Sequence, residues 1–501
     1  MHTHQKPLMF IRVWILAALL SACADPAEQA KPPSDTVSLK VMTFNIEYGG
    51  AHVSFDKVVE AIQKSNADIV GIQEAEGNLQ RLASDLGWHY DLRNYVISKY
   101  PVLDPPGADG NYVFVEVAPG RMVAISNIHL PSDPYGPDAV RDGASVDEVL
   151  QIERTVRLPK MQAILNALQP WLDSEFPLFL TGDFNAPAHT DWPAAAVGKR
   201  PFLRYPVQWP VSLAVHDAGF RDSWRAVHKD VLASPGLTWW AGRPPLEMYA
   251  PGENDAQDRI DFVWYSGPVE VIDSKIVGEP GYAETSIGVS PWPSDHRAVL
   301  SDFSAVPVDV PTLVTTQDRV YRSGDDIAVI YRRAGDASVR VERIDDDGGQ
   351  IVIAESIVSG DGVLHVESSL LDTGRYRVTL QDKLAQAPLH RELWVLASDA
   401  KPAIEVIGAI IAVGDGIDVR WSNAPGNRND YVVLARVDGI AADEFDLPFA
   451  YVSARPHGRM LVDSDNAEWG WPPAPGTYVA RLMKDDGYEV LAESGEFTIS
   501  R

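Results

Sequence analysis

The chain has 501 residues, of which 45% are hydrophobic and 23% charged, and its 43 Lys and Arg against 70 Asp and Glu give a formal net charge of −27. This is the composition of a folded chain of about two to four domains, and its acidity argues against a broad basic face that grips nucleic acid by releasing counterions. A bound divalent cation would still reverse the field locally, and the single cysteine, Cys23, excludes an intrachain disulfide framework.

Lys6 and Arg12 precede a short apolar run from Val13 to Leu20, then Ser21, Ala22 and Cys23. That is the layout of a secretory signal over residues 1–22, too short to span a bilayer stably. Leu20-Ser21-Ala22-Cys23 resembles the bacterial lipobox, which implies acylation of Cys23 and an exported chain. Its expected place is periplasmic or cell-surface, anchored to a bacterial membrane through lipid. Residues 23–38, rich in Ala, Pro and charge, read as a disordered tether.

From Leu39 onward strand-like and helix-like runs alternate. Leu39 to Phe44 alternates at period two and ends at Asn45, and Ser54 stands where it would cap a helix with Val58, Ala61 and Ile62 on one face. Ala67 to Gln73 is an apolar strand ending in Glu74, and Arg121–Leu130, Leu178–Thr181 and Arg259–Tyr265 repeat that form. Polar residues at the ends of buried strands are where α/β chemistry is usually placed. The region ends near residue 306, and Ala305–Thr312, with Pro307 and Pro311, reads as a linker. Residues 39–306 are therefore expected to work as a unit.

Residues 307–400 and 401–501 then lose the helical period. Short alternating strands and turn signals such as Asp347-Gly348 and Asp486-Gly487 suggest hairpins. Gly324–Val329 echoes Gly414–Val419, and Gly374-Arg375-Tyr376 echoes Gly476-Thr477-Tyr478. Two tandem β-sandwich modules are expected, and the Gly-x-Tyr step is similar to the tyrosine corner of immunoglobulin-like folds.

The chemistry-bearing residues sit at strand ends. Glu74 is a carboxylate suited to a hard cation such as Mg²⁺ or Mn²⁺, which takes oxygen ligands and keeps several waters. Asp183 and Asn185, two apart on an extended strand end, share one face. One can align or deprotonate water while the other grips a phosphoryl oxygen. The same residues with Gly182 would also make a plain turn. Asp295-His296 and Asp261 form a second group, with Asp258 a rival to Asp261 unless Asp258-Arg259 is a surface pair. His129, two residues after Asn127, is a candidate acid. His189 and Asp191 line the cleft or pack the next helix; Trp209, Trp239, Trp240 and Trp292 read mainly as core. Pro134 to Val149 is a polar segment suited to a substrate-side loop.

Seven pieces in chain order carry a resemblance: Thr43-Phe44-Asn45-Ile46, Gln73-Glu74-Ala75, Ile97 to Val102, Asn127-Ile128-His129-Leu130, Gly182-Asp183-Phe184-Asn185, Asp258 to Phe262 and Ser294-Asp295-His296. Residues 39 to about 304 resemble the endonuclease/exonuclease/phosphatase superfamily of metal-dependent phosphoesterases. The histidine at 129 looks more like pancreatic-type deoxyribonucleases and sphingomyelinases than like apurinic-site endonucleases. The resemblance implies a four-layer α/β sandwich, two packed mixed sheets flanked by helices, ahead of the two immunoglobulin-like modules. It implies a metal site at Asn45, Glu74 and Asp295 and a catalytic group of His129, Asp183, Asn185, Asp261 and His296, with His296 paired to Asp261. Either Asp183 or His296 then serves as general base. The expected activity is hydrolysis of a phosphoester in nucleic acid, a phospholipid head group or a sugar phosphate. The alternative from another class is a surface-tethered binding protein, its β modules holding carbohydrate or a partner and its front domain a degenerate enzyme.

Overall fold

Strand β1 (Val37–Asn45) already shows the rule that places the site: Leu39 and Val41 point one way into a core, Met42 and Phe44 the other way into a second core. The computed structural model describes residues 36–200, 202–244, 256–345, 348–382, 387–437, 447–468 and 470–501. The signal segment and Cys23 lie outside these residues, as does Asp347. Val37 and Ser38, expected at the end of the tether, are already paired with Ala305 and Ser304.

The chain forms two compact units, one built from residues 310–400 and the other from residues 35–309 together with 401–501. In the larger unit β1 is followed by α1 (Phe55–Ser65), β2 (Ile69–Gln73), α2 (Leu79–Leu86), β3 (His89–Asp91), β4 (Val96–Ser98), β5 (Val102–Leu103), β6 (Val113–Ala118) and β7 (Arg121–His129). Then come α3 (Gly136–Arg141), α4 (Val146–Val156), α5 (Leu158–Asp173), β8 (Leu178–Asp183), α6 (Pro210–Asp217), β9 (Arg221–Asp222) and α7 (Ser223–Val227). The series ends with β10 (Asp261–Ser266), β11 (Val269–Gly278), β12 (Thr285–Gly288), β13 (Ala298–Ala305) and β14 (Val308–Asp309).

Two mixed sheets result, one ordered β12-β11-β13-β1-β2-β4-β3 and the other β5-β6-β7-β8-β10-β9, with β14 added beside β7. They pack face to face through Val41, Ile69, Val113, Ile125, Phe179, Val263 and Phe303. On the outer face of the first sheet, Phe44 and Ile72 meet Val58 and Ile62 of α1 and Leu79 and Leu82 of α2. On the outer face of the second, Phe114 meets Trp171 of α5 edge to face at 5.1 Å. Helix, sheet, sheet and helix make the four layers. Ser54 does precede α1, but its side chain makes no capping bond.

The 305–312 segment is not a free linker. Val308 and Asp309 pair with Met122 and Arg121, and the Arg121 guanidinium donates to the Pro307 carbonyl and to Asp309. The segment between Pro134 and Val149 folds as α3 and the start of α4, where Ser145 and Glu148 form a capping box. Among the described residues no helix is long and apolar enough to cross a membrane.

Residues 313–396 form a strand-rich unit around Val314, Val339, Tyr376, Val378 and Val395. Its Val320–Arg322 strand runs parallel to the last strand, Leu389–Leu396. Residues 403–500 repeat that plan, with Ile410–Ala412 parallel to Phe497–Ser500. The tyrosines of the repeated Gly-x-Tyr step also match. Tyr376 Oη donates to the Asp372 carbonyl at 2.7 Å and Tyr478 Oη to the Ala474 carbonyl at 2.8 Å, each four residues back.

Candidate active site

Strand alternation explains why polar residues gather at one edge of the two-sheet core. Residues 39, 41, 43 and 45 of β1 and 69, 71 and 73 of β2 face the second sheet, and the odd-numbered residues 123 to 129 of β7, 179 to 183 of β8 and 261 to 265 of β10 face the first. Along each strand the apolar residues give way near one end to Thr43 and Asn45, Gln73, Asn127 and His129, Thr181 and Asp183, and Asp261. The registers align these ends: Asn45 beside Gln73, His129 beside Asp183, and Asp183 opposite Asp261.

Beneath the site the two sheets are tied by a polar bridge. Gln73 Nε2 donates to Asn127 Oδ1 at 2.6 Å, Thr181 Oγ1 donates to the same oxygen at 3.0 Å, and Asn127 Nδ2 donates to the Ile72 carbonyl at 2.8 Å. Gly71 makes this approach possible, because a Cβ there would overlap Thr181 Oγ1 and Asn127 Oδ1.

The side chains converge on Asp183. Its Oδ2 accepts from Asn45 Nδ2 at 3.1 Å and lies 3.6 Å from both His129 Nε2 and His296 Nε2. Its Oδ1 accepts the Asn185 backbone N–H at 2.8 Å. Asn45 Nδ2 also donates to Glu74 Oε1 at 2.8 Å, and Glu74 Oε2 accepts from the Tyr48 backbone at 3.2 Å. Asn185 Nδ2 donates to the Leu130 carbonyl at 3.0 Å and faces His129 Nε2 at 3.2 Å. Glu74 and Asn185 sit at φ 55° and 47°, left-handed turns just past their strands that aim both side chains back over the edge. The turn and the site are the same feature.

His296 Nδ1 lies 2.9 Å from Asp261 Oδ2, and Asp295 Oδ1 is 3.9 Å from His296 Nε2. Asp258 is buried elsewhere, accepting from Trp192 and Arg200. Arg259 is buried too, bound to Asp191 and Asp222, so residues 258 and 259 are not a surface pair. Asp191 serves this structural network, and His189 bonds Ser212. Trp209 and Trp292 are core, as expected. Trp239 is not: it lines the cleft and donates to Asp295 Oδ2 at 3.2 Å.

Electrostatics distinguish the members. Burial, reinforced by Asp261, pushes the Asp183 carboxyl up to about 6, against the pull of His296 and His129. Burial also raises Asp295. Burial opposes a charge on His296, but Asp261, Asp183 and Asp295 outweigh it and hold the imidazole protonated well above the usual histidine range.

A divalent cation fits this donor set. One ligand atom from each of Asp183, Asp261 and His296 lies within 4.8 Å of the others, and Asp261 Oδ1 is buried with no hydrogen-bond partner. This trio differs from the one expected for the metal, and its imidazole can act as a ligand only after giving up the proton that Asp261 stabilises. Asn45, Glu74 and Asp295 stand along the neighbouring wall, with Glu74 Oε1 4.0 Å from His129 Nε2.

Several residues of the site were not singled out from sequence. Glu47 accepts from Arg243 at 2.9 Å and from the Asp295 backbone at 3.0 Å. Burial and then Asp295 push it up to about 7. It ties residue 295 to the turn after β1. No local motif announces it, since Arg243 is 196 positions away. Less expected still, the cleft of about 870 Å³ that holds His129, Asp183 and His296 is lined by Tyr48, Glu76, Tyr135 and Trp239 and also by Arg428, Asn429, Tyr451, Asp485, Asp486 and Tyr488 of the last β module.

Among known proteins, an uncharacterized protein of Caenorhabditis elegans is similar to this chain, 28% identical over 328 residues that cover 60% of the chain and all of the relative. Among solved structures, an endonuclease/exonuclease/phosphatase family protein from Bacteroides thetaiotaomicron aligns at a TM-score of 0.34 and 12% identity, covering 54% of this chain and 96% of that one. TDP2 from D. rerio, complexed with single strand DNA product, aligns at 0.31 and 13%, covering 53% and 98%. The profile of the Endonuclease/Exonuclease/phosphatase family matches residues 42–296, a span that contains Asn45, Glu74, His129, Asp183, Asn185, Asp261, Asp295 and His296. The chain belongs to the Endonuclease/Exonuclease/phosphatase family.

Proposed function

We propose that the protein is a divalent-cation-dependent phosphoester hydrolase of phosphodiesterase or nuclease type. The observation that carries this reading is the convergence of Asn45, His129 and His296 within 3.1 to 3.6 Å of Asp183 Oδ2. Mg²⁺ or Mn²⁺ held by Glu74 and Asp295 beside Asn45 would supply Lewis-acid polarisation of a phosphoryl oxygen.

The chain's own groups divide the remaining work. Asp183, poised near neutrality, suits the role of base that takes a proton from the attacking water. His296, kept cationic by Asp261, suits stabilisation of charge on the phosphoryl oxygens rather than proton abstraction. Asn45 and Asn185 present amide donors to the same oxygens. His129 is the most open of the group, its side chain 35% exposed. Once protonated, it is placed to deliver a proton to the leaving alkoxide. The completeness of this polar set counts against a degenerate domain that only binds.

Nucleic acid, a phospholipid head group and a sugar phosphate share the required bond. Export and acylation at Cys23 belong to the same proposal and rest on Leu20-Ser21-Ala22-Cys23. A Cys23→Ser chain that stays with membranes would remove that part. The hydrolase is tested by turnover of bis(p-nitrophenyl) phosphate with Mg²⁺ or Mn²⁺. Activity abolished by chelator and by Glu74→Ala is expected; an inactive wild type across several metals would overturn the reading.

A further inference from the structure

The last β module reaches the catalytic cleft by specific contacts rather than by loose proximity. The Arg428 guanidinium donates to the carbonyls of Arg93 at 2.9 Å and Gly110 at 2.6 Å. Asp485 accepts from the Gly77 backbone at 2.9 Å and from the Tyr95 hydroxyl. Tyr488 faces Tyr48 with ring centroids 6.0 Å apart.

These contacts set a particular surface opposite the catalytic group. Asp486 is exposed, held in place by the Tyr451 hydroxyl at 2.7 Å and the Asn429 amide at 2.9 Å. Glu76 lies against Gly487, and among the described residues its carboxylate has no hydrogen bond or ion pair. Both carboxylates are close enough to Glu74 to interact with it electrostatically, and Asp486 also interacts with His129. The rings of Tyr48, Tyr451 and Tyr488 line the same cleft. An aromatic wall accepts neutral or cationic groups on its faces. The carboxylates of Glu76 and Asp486 repel a second phosphate on this wall, while the cations that also line the cleft, Arg428 and Lys160, are turned to the Arg93 and Gly110 carbonyls and to Glu468.

We infer that the second β module is the substrate-selecting wall of this cleft, admitting a phosphoester whose alcohol is neutral or cationic and turning away the polyanionic chain of a nucleic acid. The inference rests on the hydrolase reading and narrows its substrate class. A nuclease that holds its substrate by phosphate contacts loses affinity as salt rises. Here added salt screens a repulsion, so the sign is reversed.

The test compares kcat/KM of the full-length chain, with Mg²⁺, on bis(p-nitrophenyl) phosphate and on an oligothymidylate of about ten nucleotides. The assay runs at pH about 8, where Asp486, pushed up to about 6 by burial, is ionised and Glu76, pushed up to about 8 by burial, is partly so. Ionic strength is varied between about 0.01 and 0.15 M, which shortens the screening length from about 30 to 8 Å. The wild type is expected to favour the small diester and to gain on the oligonucleotide as salt rises. Asp486→Asn and Glu76→Gln together are expected to raise the ratio of oligonucleotide to small-diester kcat/KM at least about fivefold at low salt and to flatten its salt slope. Glu76→Gln alone, which breaks no hydrogen bond, is expected to shift it in the same direction. A wild type that cleaves the small diester, paired with variants whose ratio stays unchanged, would overturn the selecting wall and leave the hydrolase standing. A wild type inactive on the small diester would overturn both.

Discussion

Asp485 accepts the backbone N–H of Gly77 at 2.9 Å, joining residues 408 positions apart and pinning the turn that carries Glu74. The same carboxylate takes the hydroxyl of Tyr95, whose carbonyl accepts from Ile72 at 2.9 Å and from the Asn127 amide. The last module thus holds the β2–α2 turn from outside. Asp485→Ala is expected to cost about 1–3 kcal/mol of stability in urea unfolding, the range for leaving buried donors unpaired. Residues 35–309 alone are expected to bind Mg²⁺ more weakly than the full chain in a thermal-shift titration. The expectation drawn from sequence, that residues 39–306 work as a unit, is tested by the same titration.

Asp261→Asn tests the His296 arrangement. An asparagine there keeps the shape and removes the charge that does most to keep His296 protonated. The imidazole pKa, followed by NMR in the cation-free chain, is expected to fall. The rate on bis(p-nitrophenyl) phosphate is expected to drop by about 10²–10⁴, the range for a mispositioned or wrongly protonated catalytic group. An unmoved titration would show that Asp261 does not govern His296.

Asp430 gives stability a pH dependence with a definite sign. Burial, with Asp485 beside it, pushes its carboxyl from 3.8 up to about 7 despite the Asn427 amide. A carboxyl raised on folding stabilises fully below its unfolded value, near 3.8, and that contribution is lost as pH rises through about 7. Melting temperature, measured in chelator, is expected to fall between pH 5 and pH 8.5, and Asp430→Asn is expected to flatten the fall.

Arg157 and Glu153 are both fully buried and paired at 2.8 Å, while Arg157 Nη2 donates to the carbonyls of Ser132 and Pro134 at the rim of the cleft. Arg157→Met would leave Glu153 buried without a partner. Its cost is expected to reach about 3 kcal/mol or more in urea unfolding, whereas a Glu153→Gln, Arg157→Met pair is expected to lose less.

Much of the site was legible because strand alternation and strand-end chemistry are local. Asn45, Glu74, His129, Asp183 and Asn185 close or follow buried strands, Asp261 opens one, Asp295 and His296 precede another, and the sheets bring those ends together. The tyrosines at 376 and 478 were legible for the same reason, since each bond spans four residues. Contacts across long sequence separations were not. Nothing near Glu47 names Arg243, and nothing near Gly77 names Asp485. Asp258 read as a rival to Asp261, or with Arg259 as a surface pair, because the buried partners of the two residues, Asp191, Asp222, Trp192 and Arg200, are scattered through the chain. The prolines around residue 307 suggested a loose joint, yet the carbonyl that proline leaves intact is what Arg121 holds.

Gly71 carries a final consequence. The hydrogen atom in place of a side chain there lets Asn127 and Thr181 reach across. Even alanine would act as a wedge, prising the half of the site on Asn45 and Glu74 away from the half on Asp183 and Asp261. Folding tolerance and catalytic alignment therefore share one spacer, and damage at residue 71 would reach the chemistry without touching any group that performs it.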